Sequence, residues 1–252
     1  MLGTRPTKMK TPRLLLSHAA VLLGSLSAFA QIAPPAYEPM KVTHTDVPVF
    51  PQRVLAQGYK TGQVRIALQI DAEGKLTDYL VTAYSSPGLV DGAVAAIKKW
   101  RFEPARIHGA PRAAEAEFTF NYESAGVVVD MSIQTMAELL HLRIVPNSLA
   151  YSACALSELD RIPTPVKIVK PVYPEKLARS SRGGHVTVEF YIDEHGHVRL
   201  PSVDRQTIEA NEELAALAVT AVEQWQFEPP LRKGRPVLAL AGQDFSFKPA
   251  SP

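Results

Sequence analysis

Four residues have the types and spacing that could hold a metal: His185, and Glu194, His195 and His197 within the run D-E-H-G-H. An H-x-H pair on a hairpin sets two imidazoles on one side of a strand, within reach of a divalent cation. A catalytic zinc, however, needs three protein ligands and a second shell to orient them. Glu194 and His195 fall at the apex of an expected chain reversal, so the turn reading accounts for the cluster and no metal ligand is assigned. Cys154 is the chain's one cysteine. It cannot close an intramolecular disulfide, and Tyr151-Ser152-Ala153-Cys154-Ala155-Leu156 carries no nucleophile signature, so it reads as a plain, partly buried thiol. There is no G-x-S-x-G, H-E-x-x-H or Gly-rich phosphate loop. The reading is therefore a non-enzyme with no catalytic residue and no cofactor. A metal-dependent enzyme built on His195 and His197 is the remote alternative.

The elements that would carry these residues belong to a soluble globular chain. Of 252 residues, 46% are hydrophobic and 21% charged, too evenly mixed for a disordered or multi-span membrane protein. A net charge of +2 is too weak for a general nucleic-acid binder. Even that excess is confined to the N-terminus, where Arg5, Lys8, Lys10 and Arg13 precede an apolar run from Leu14 to Phe29 and the small-residue motif Ala28-Phe29-Ala30. This pattern is an export signal cleaved before Gln31. The alternative is a short retained anchor, Leu14 to Ala30, interrupted by Ser17, His18, Gly24 and Ser25. Either way the chain is exported.

Sliding the chain against itself reveals two copies of one pattern. Phe50-Pro51 meets Tyr173-Pro174, Gly62 to Leu76 meets Gly184 to Val198, and Trp100-x-Phe102-x-Pro104 meets Trp225-x-Phe227-x-Pro229. Gly109-x-Pro111 then meets Gly234-x-Pro236, and Phe118-Thr119-Phe120 meets Phe245-Ser246-Phe247, with an offset slip at the last strand that Gly242 could absorb as a bulge.

Each copy has a physical reading. The prolines start a short helix. Val64, Ile66, Leu68 and Ile70, like Val186, Val188, Phe190 and Ile192, alternate with polar residues as a half-buried strand does. Asp71 to Gly74 and Asp193 to Gly196 reverse the chain into a hairpin. A helix follows, bearing Leu89, Ala93, Ile97 and Trp100 on one face in the first copy. The second, capped by Asn211, bears Leu214, Leu217, Ala218, Ala221 and Trp225. Trp100, Phe102, Trp225 and Phe227 are core anchors. Proline stops each helix and a last strand closes the unit. The expected fold class is α+β: two α-β-β-α-β units, each a small antiparallel sheet packed on one long helix, with the sheet's other face mostly polar.

Both copies resemble the TonB C-terminal domain family, the periplasmic module of bacterial energy transducers. The expected organisation is an N-terminal signal peptide or anchor over 1–30, a linker over 31–46, domain 1 over 47–122, a structured linker over 123–170 and domain 2 over 171–248. In that linker Asp130 would cap a helix bearing Ile133, Met136, Leu139, Leu140 and Arg143. The resemblance implies a module that pairs an extended segment of an outer-membrane transporter with its final strand, in support of energy-coupled transport. Strand addition of this kind gains main-chain hydrogen bonds for affinity and uses alternating side chains for specificity. The implied location is the periplasm, or the inner membrane facing it if the anchor is retained. Ser17-His18 echoes transducer anchors that engage inner-membrane motor proteins. Val49 and Val172 stand where relatives commonly carry Gln before the aromatic-Pro pair.

Pro201, which cannot donate to a ladder, puts the second strand of copy two at an edge and leaves the last strand as the opposite edge. In copy one, Glu115 and Glu117 would blunt that last strand. In copy two, Val237, Leu238, Ala239, Leu240 and Ala241, continuing to Gln243, Phe245 and Phe247, form the expected docking edge, with Val172, Tyr173 and Pro174 beside it. The other reading of Leu238 and Leu240 is packing against the other domain or a homodimer mate. A soluble periplasmic adaptor or envelope scaffold is the alternative function for the same domains.

Overall fold

The computed structural model describes residues 37–124, 126–134, 149–179 and 183–248, all within one compact unit. The N-terminal segment 1–30, with Ser17 and His18, lies outside them. In copy one, helix α1 (Gln52–Ala56) starts directly after Pro51. Strands β1 (Thr61–Ile70) and β2 (Leu76–Tyr84) form the hairpin, a 3-10 turn at Pro87–Leu89 leads into α2 (Val90–Ile97), and β3 (Ala114–Glu123) closes the unit. Strand β4 (Gly126–Gln134) follows, then two short strands, β5 (Tyr151–Ser152) and β6 (Cys154–Ala155). Copy two repeats the plan with α3 (Glu175–Arg179), β7 (Gly184–Ile192), β8 (Val198–Val203), α4 (Arg205–Val222) and β9 (Ala239–Phe247). The fold is α+β, with two α-β-β-α-β units.

Each hairpin is fixed by one aspartate. Asp71 Oδ1 accepts the backbone N–H groups of Glu73 and Lys75 at 3.0 and 2.8 Å, and Asp193 Oδ1 accepts those of His195 and His197 at 2.9 Å each. The glycine that ends each turn has a positive φ, 81° at Gly74 and 86° at Gly196. A Cβ there would stand 2.4 Å from the Phe102 carbonyl oxygen or 1.9 Å from that of Phe227. The D-x-x-G turn and the W-x-F strand thus recur together because one lies directly against the other.

The first hairpin strand is central in both sheets. In copy one the order is β5-β2-β1-β3-β4, and in copy two β6-β9-β7-β8. Strand β8, with Pro201, is an edge, and its pairing with β7 is irregular between Glu189 and Tyr191, where Leu200 takes a φ of 47°. Val64, Ile66, Leu68, Ile70, Phe118 and Phe120 form the core of copy one with α2 and Trp100. Val186, Val188, Phe190, Ile192 and Trp225 form that of copy two with α4.

Several expectations are corrected. Strand β3 is not an edge, because β4 pairs with it from Glu123↔Gly126 to Glu117↔Gln134. Asp130 and Ile133 therefore lie in a strand instead of a helix, and Met136, Leu139, Leu140 and Arg143 fall outside the described residues. Glu115 and Glu117 do not blunt an exposed edge. Glu117 is 7% exposed, accepts from Thr82 Oγ1 at 2.9 Å and pairs with Arg65 at 3.7 Å. Glu115 accepts from Gln69 Nε2 at 3.2 Å. Asn211 does not start its helix, which begins at Arg205 with Asp204 accepting the Thr207 N–H. Asn211 instead marks a kink, with φ −149° and ψ 56°. Gly242 forms no bulge, since β7 and β9 pair in unbroken register from Gly184↔Phe247 to Ile192↔Ala239.

That register also changes which aromatics correspond. Phe120 pairs with Val64, and Phe245 with the matching Val186. Trp100 packs on Phe120 at 5.7 Å between ring centroids and Trp225 on Phe245 at 5.8 Å. Phe50 meets Tyr122 at 5.9 Å, and its counterpart Tyr173 meets Phe247 at 5.6 Å. Phe245 and Phe247 therefore stand for Phe120 and Tyr122, each pair 125 residues apart like Trp100 and Trp225. No slip remains for Gly242 to absorb.

The polar faces of the two sheets are not left to solvent. They meet each other around Ala67, Tyr191, Leu200 and Leu238, with Leu80, Tyr151 and Leu240 beside them. The Tyr191 hydroxyl hydrogen-bonds Glu117, and burial holds that carboxyl above its ordinary range despite Arg65. Arg199 pairs with Asp78, and Arg112 with Glu212, from one copy to the other.

Candidate functional site

The expected docking residues divide into two groups along β9. At its start, Leu238 is buried at 1% exposure, in the cluster between the copies. Its carbonyl accepts the Cys154 N–H at 2.9 Å, and β6 runs parallel to β9 through Cys154↔Ala239 and Ala155↔Leu240. Val237 donates its N–H to Pro230 O at 3.0 Å. These residues, with Ala239 and Leu240, are enclosed by the chain's own structure. From Ala241 onward, no strand among the described residues pairs with the outer side of β9.

Beside this open stretch runs a groove of about 680 Å³. One bank is Ala241, Gly242, Gln243, Phe245 and Phe247, and the other is the segment from Ile162 to Tyr173. Phe190, Trp225 and Phe227 form the floor. Among the described residues Lys170 and Lys248 line it and no carboxylate does, so a partner's main chain would meet apolar surface with a cationic rim. Tyr173 packs on Phe247 at one end, and Pro174 O accepts the Leu177 N–H at 3.0 Å. Val172 stands 78% exposed.

Of the far bank, Val172 and Tyr173 were expected beside the edge, but Ile162 to Lys170 was missed in the sequence, where it reads as linker. It is held by the W-x-F strand. Trp225 Nε1 donates to Val169 O at 2.7 Å, Glu228 N–H to Thr164 O at 2.8 Å, and Pro165–Lys167 pairs with Gln226–Phe227. The one sequence signal was a run of apolar residues among prolines, Ile162, Val166, Ile168 and Val172, all of which the structure leaves exposed. Copy one has the same tether: Trp100 Nε1 donates to Asp46 O at 2.8 Å, and Lys41–His44 pairs with Arg101–Glu103. Lys41 to His44 was also read as linker.

The histidine cluster is organised as a turn. The backbone N–H groups of His195 and His197 are held by Asp193, and Glu194 accepts the Tyr151 hydroxyl at 3.0 Å. Among the described residues no three His, Cys, Asp or Glu side chains converge as metal ligands do. Trp100, Phe102 and Trp225 are buried and Phe227 half-buried.

The two repeats coincide with a known family. A family model for the Gram-negative bacterial TonB protein C-terminal matches residues 46–124 and again residues 169–249. The chain belongs to the TonB C-terminal family. No curated protein matches it. TonB C-terminal units are protein-interaction modules of the bacterial envelope and not an enzyme family. In this tandem TonB pair the two units differ at the outer side of the last strand, covered by β4 in one and, among the described residues, open beyond β6 in the other. No helix of the described residues is long and apolar enough to cross a membrane.

Proposed function

We propose that the protein is an exported TonB-like component that takes an extended segment of an outer-membrane transporter as an added strand on β9, supporting energy-coupled transport. The observation that carries this reading is the open edge of β9 from Ala241 to Phe247 beside an aromatic-floored groove. An added strand there gains main-chain hydrogen bonds on one side and places alternate side chains over Phe245 and Phe247. The basic, apolar and A-x-A features of residues 1–30 support delivery to the periplasm. The first TonB unit, joined to the second by a shared buried cluster, serves as support.

The test is titration of the isotope-labelled protein with peptides from the N-terminal periplasmic segments of outer-membrane transporters. Amide shifts should concentrate on Ala241 to Phe247 and on Val169 to Tyr173. Shifts confined to copy one, or peptides that bind without perturbing β9, overturn the reading.

A further inference from the structure

The two units present the same edge in two states. In copy one, β4 lies along β3 with Val129 opposite Phe120 and Val127 opposite Tyr122, and both valines pack against the core. The corresponding residues of copy two are Phe245 and Phe247, which face the groove. The part of β3 that β4 covers, Glu117 to Glu123, corresponds at the same separation of 125 residues to Gly242 through Lys248. That is the stretch of copy two left without a strand among the described residues. The chain thus displays, on one of its own acceptors, a strand seated where the other has a cavity.

We infer that residues 126–134 are a ligand carried within the chain: they fill the acceptor of copy one, leave copy two as the acceptor open among the described residues, and show what it takes. That ligand is an extended segment with two β-branched aliphatic residues spaced two apart, seated opposite Phe245 and Phe247. The inference rests on the strand-addition reading above and specifies its partner. At one position the difference between the copies bears directly on the ligand. Asp130 lies opposite Thr119 in copy one, but the counterpart of Thr119 is Asp244, which accepts the Thr187 hydroxyl at 2.6 Å. An acid at that place would face a carboxylate, and like charges directly opposite are unfavourable. The ligand of copy two therefore has a neutral or basic residue next to its second aliphatic position.

The probe is a synthetic peptide of the sequence 124–134 with Asn at the position of Asp130, titrated into the full chain. One peptide per chain should bind, with amide shifts on Gln243 to Phe247, and the unaltered sequence should bind several-fold more weakly. Replacing the peptide's valines at positions 127 and 129 by Asp should weaken binding at least about tenfold, since two partly buried aliphatic side chains are lost. In the protein, Ser246→Pro should abolish the site. Val127→Pro, which blocks β4, should raise the stoichiometry toward two. Should Val127→Pro unfold copy one, protection of the Asn121 and Tyr122 amides from exchange in the unmodified protein, unchanged by the peptide, establishes that the first acceptor is already filled. If the probe fails to bind while a transporter peptide lacking the V-x-V spacing binds β9, the inference falls and the proposed function stands. If no extended peptide of either kind binds, the strand-addition reading itself falls.

Discussion

Asp78 of β2 and Arg199 of β8 join the two units by a forked pair, with Arg199 Nε 2.9 Å from Asp78 Oδ2 and Nη2 bonded to Oδ1. The same guanidinium donates to the Tyr79 carbonyl at 3.3 Å, and Asp193 Oδ2 lies 3.8 Å away. Planar two-point pairing of this kind is stronger than a single exposed contact. A double-mutant cycle of Asp78→Asn and Arg199→Gln, read by urea unfolding, should give a coupling energy of about 1 kcal/mol.

The hairpin glycines are not equivalent to the others. Gly196→Ala combines a positive φ with a clash against the Phe227 carbonyl and should cost about 2 to 4 kcal/mol. Gly234→Ala, also at positive φ but with nothing within 4 Å, should cost about 1 to 2 kcal/mol. Equal losses in thermal unfolding would show that the close approach of turn and strand is not what fixes the glycine.

Burial pushes the Glu115 carboxyl up to about 7, with Gln69 partly offsetting it and Glu223 adding to it. In the unfolded chain the same carboxyl loses its proton near its ordinary value of 4.5. The folded state therefore binds the extra proton between those values. The stabilisation is complete below about pH 4.5 and is lost as pH rises through 7. Urea midpoints should fall from pH 5 to pH 8, and Glu115→Gln should flatten that slope.

Trp100 and Trp225 make matching hydrogen bonds, but only Trp225 lies in the groove floor. Each Trp→Phe change removes one indole donor and leaves a carbonyl unanswered, at about 1 to 3 kcal/mol. Calorimetric titration should separate them. Trp225→Phe should weaken peptide binding because the Val169 bank is released, whereas Trp100→Phe should leave affinity unchanged.

What was legible in the sequence is what is local or repeated. The alternation of Val64 to Ile70 and the D-x-x-G turns predict the hairpins at their observed places, whereas the helices end before Trp100 and Trp225 and the second begins at Arg205 instead of Asn211. What was not legible depends on which surface a strand meets. Arg65, Gln69, Glu115 and Glu117 read as solvent-facing because polar residues alternating with apolar ones ordinarily are. Here the polar faces pack on each other, and hydrogen bonds replace water. Residues 126–134 fit a helical apolar spacing at Ile133 as well as a strand, and only the neighbouring β3 edge decides. The F-x-F repeat misled in another way, since Tyr122 and Phe247 fill one structural role with different residues.

Cys154 gives the molecule a built-in clock. It is the chain's one thiol, 2% exposed, in the short strand that closes β9 just before the edge opens. At that exposure, labelling by a thiol reagent should speed up when β6 lifts away, so the labelling rate should report how often that pairing opens. A peptide docked on β9 would extend the same ladder past Ala155, and its occupancy would be read as slower labelling of a residue it does not touch.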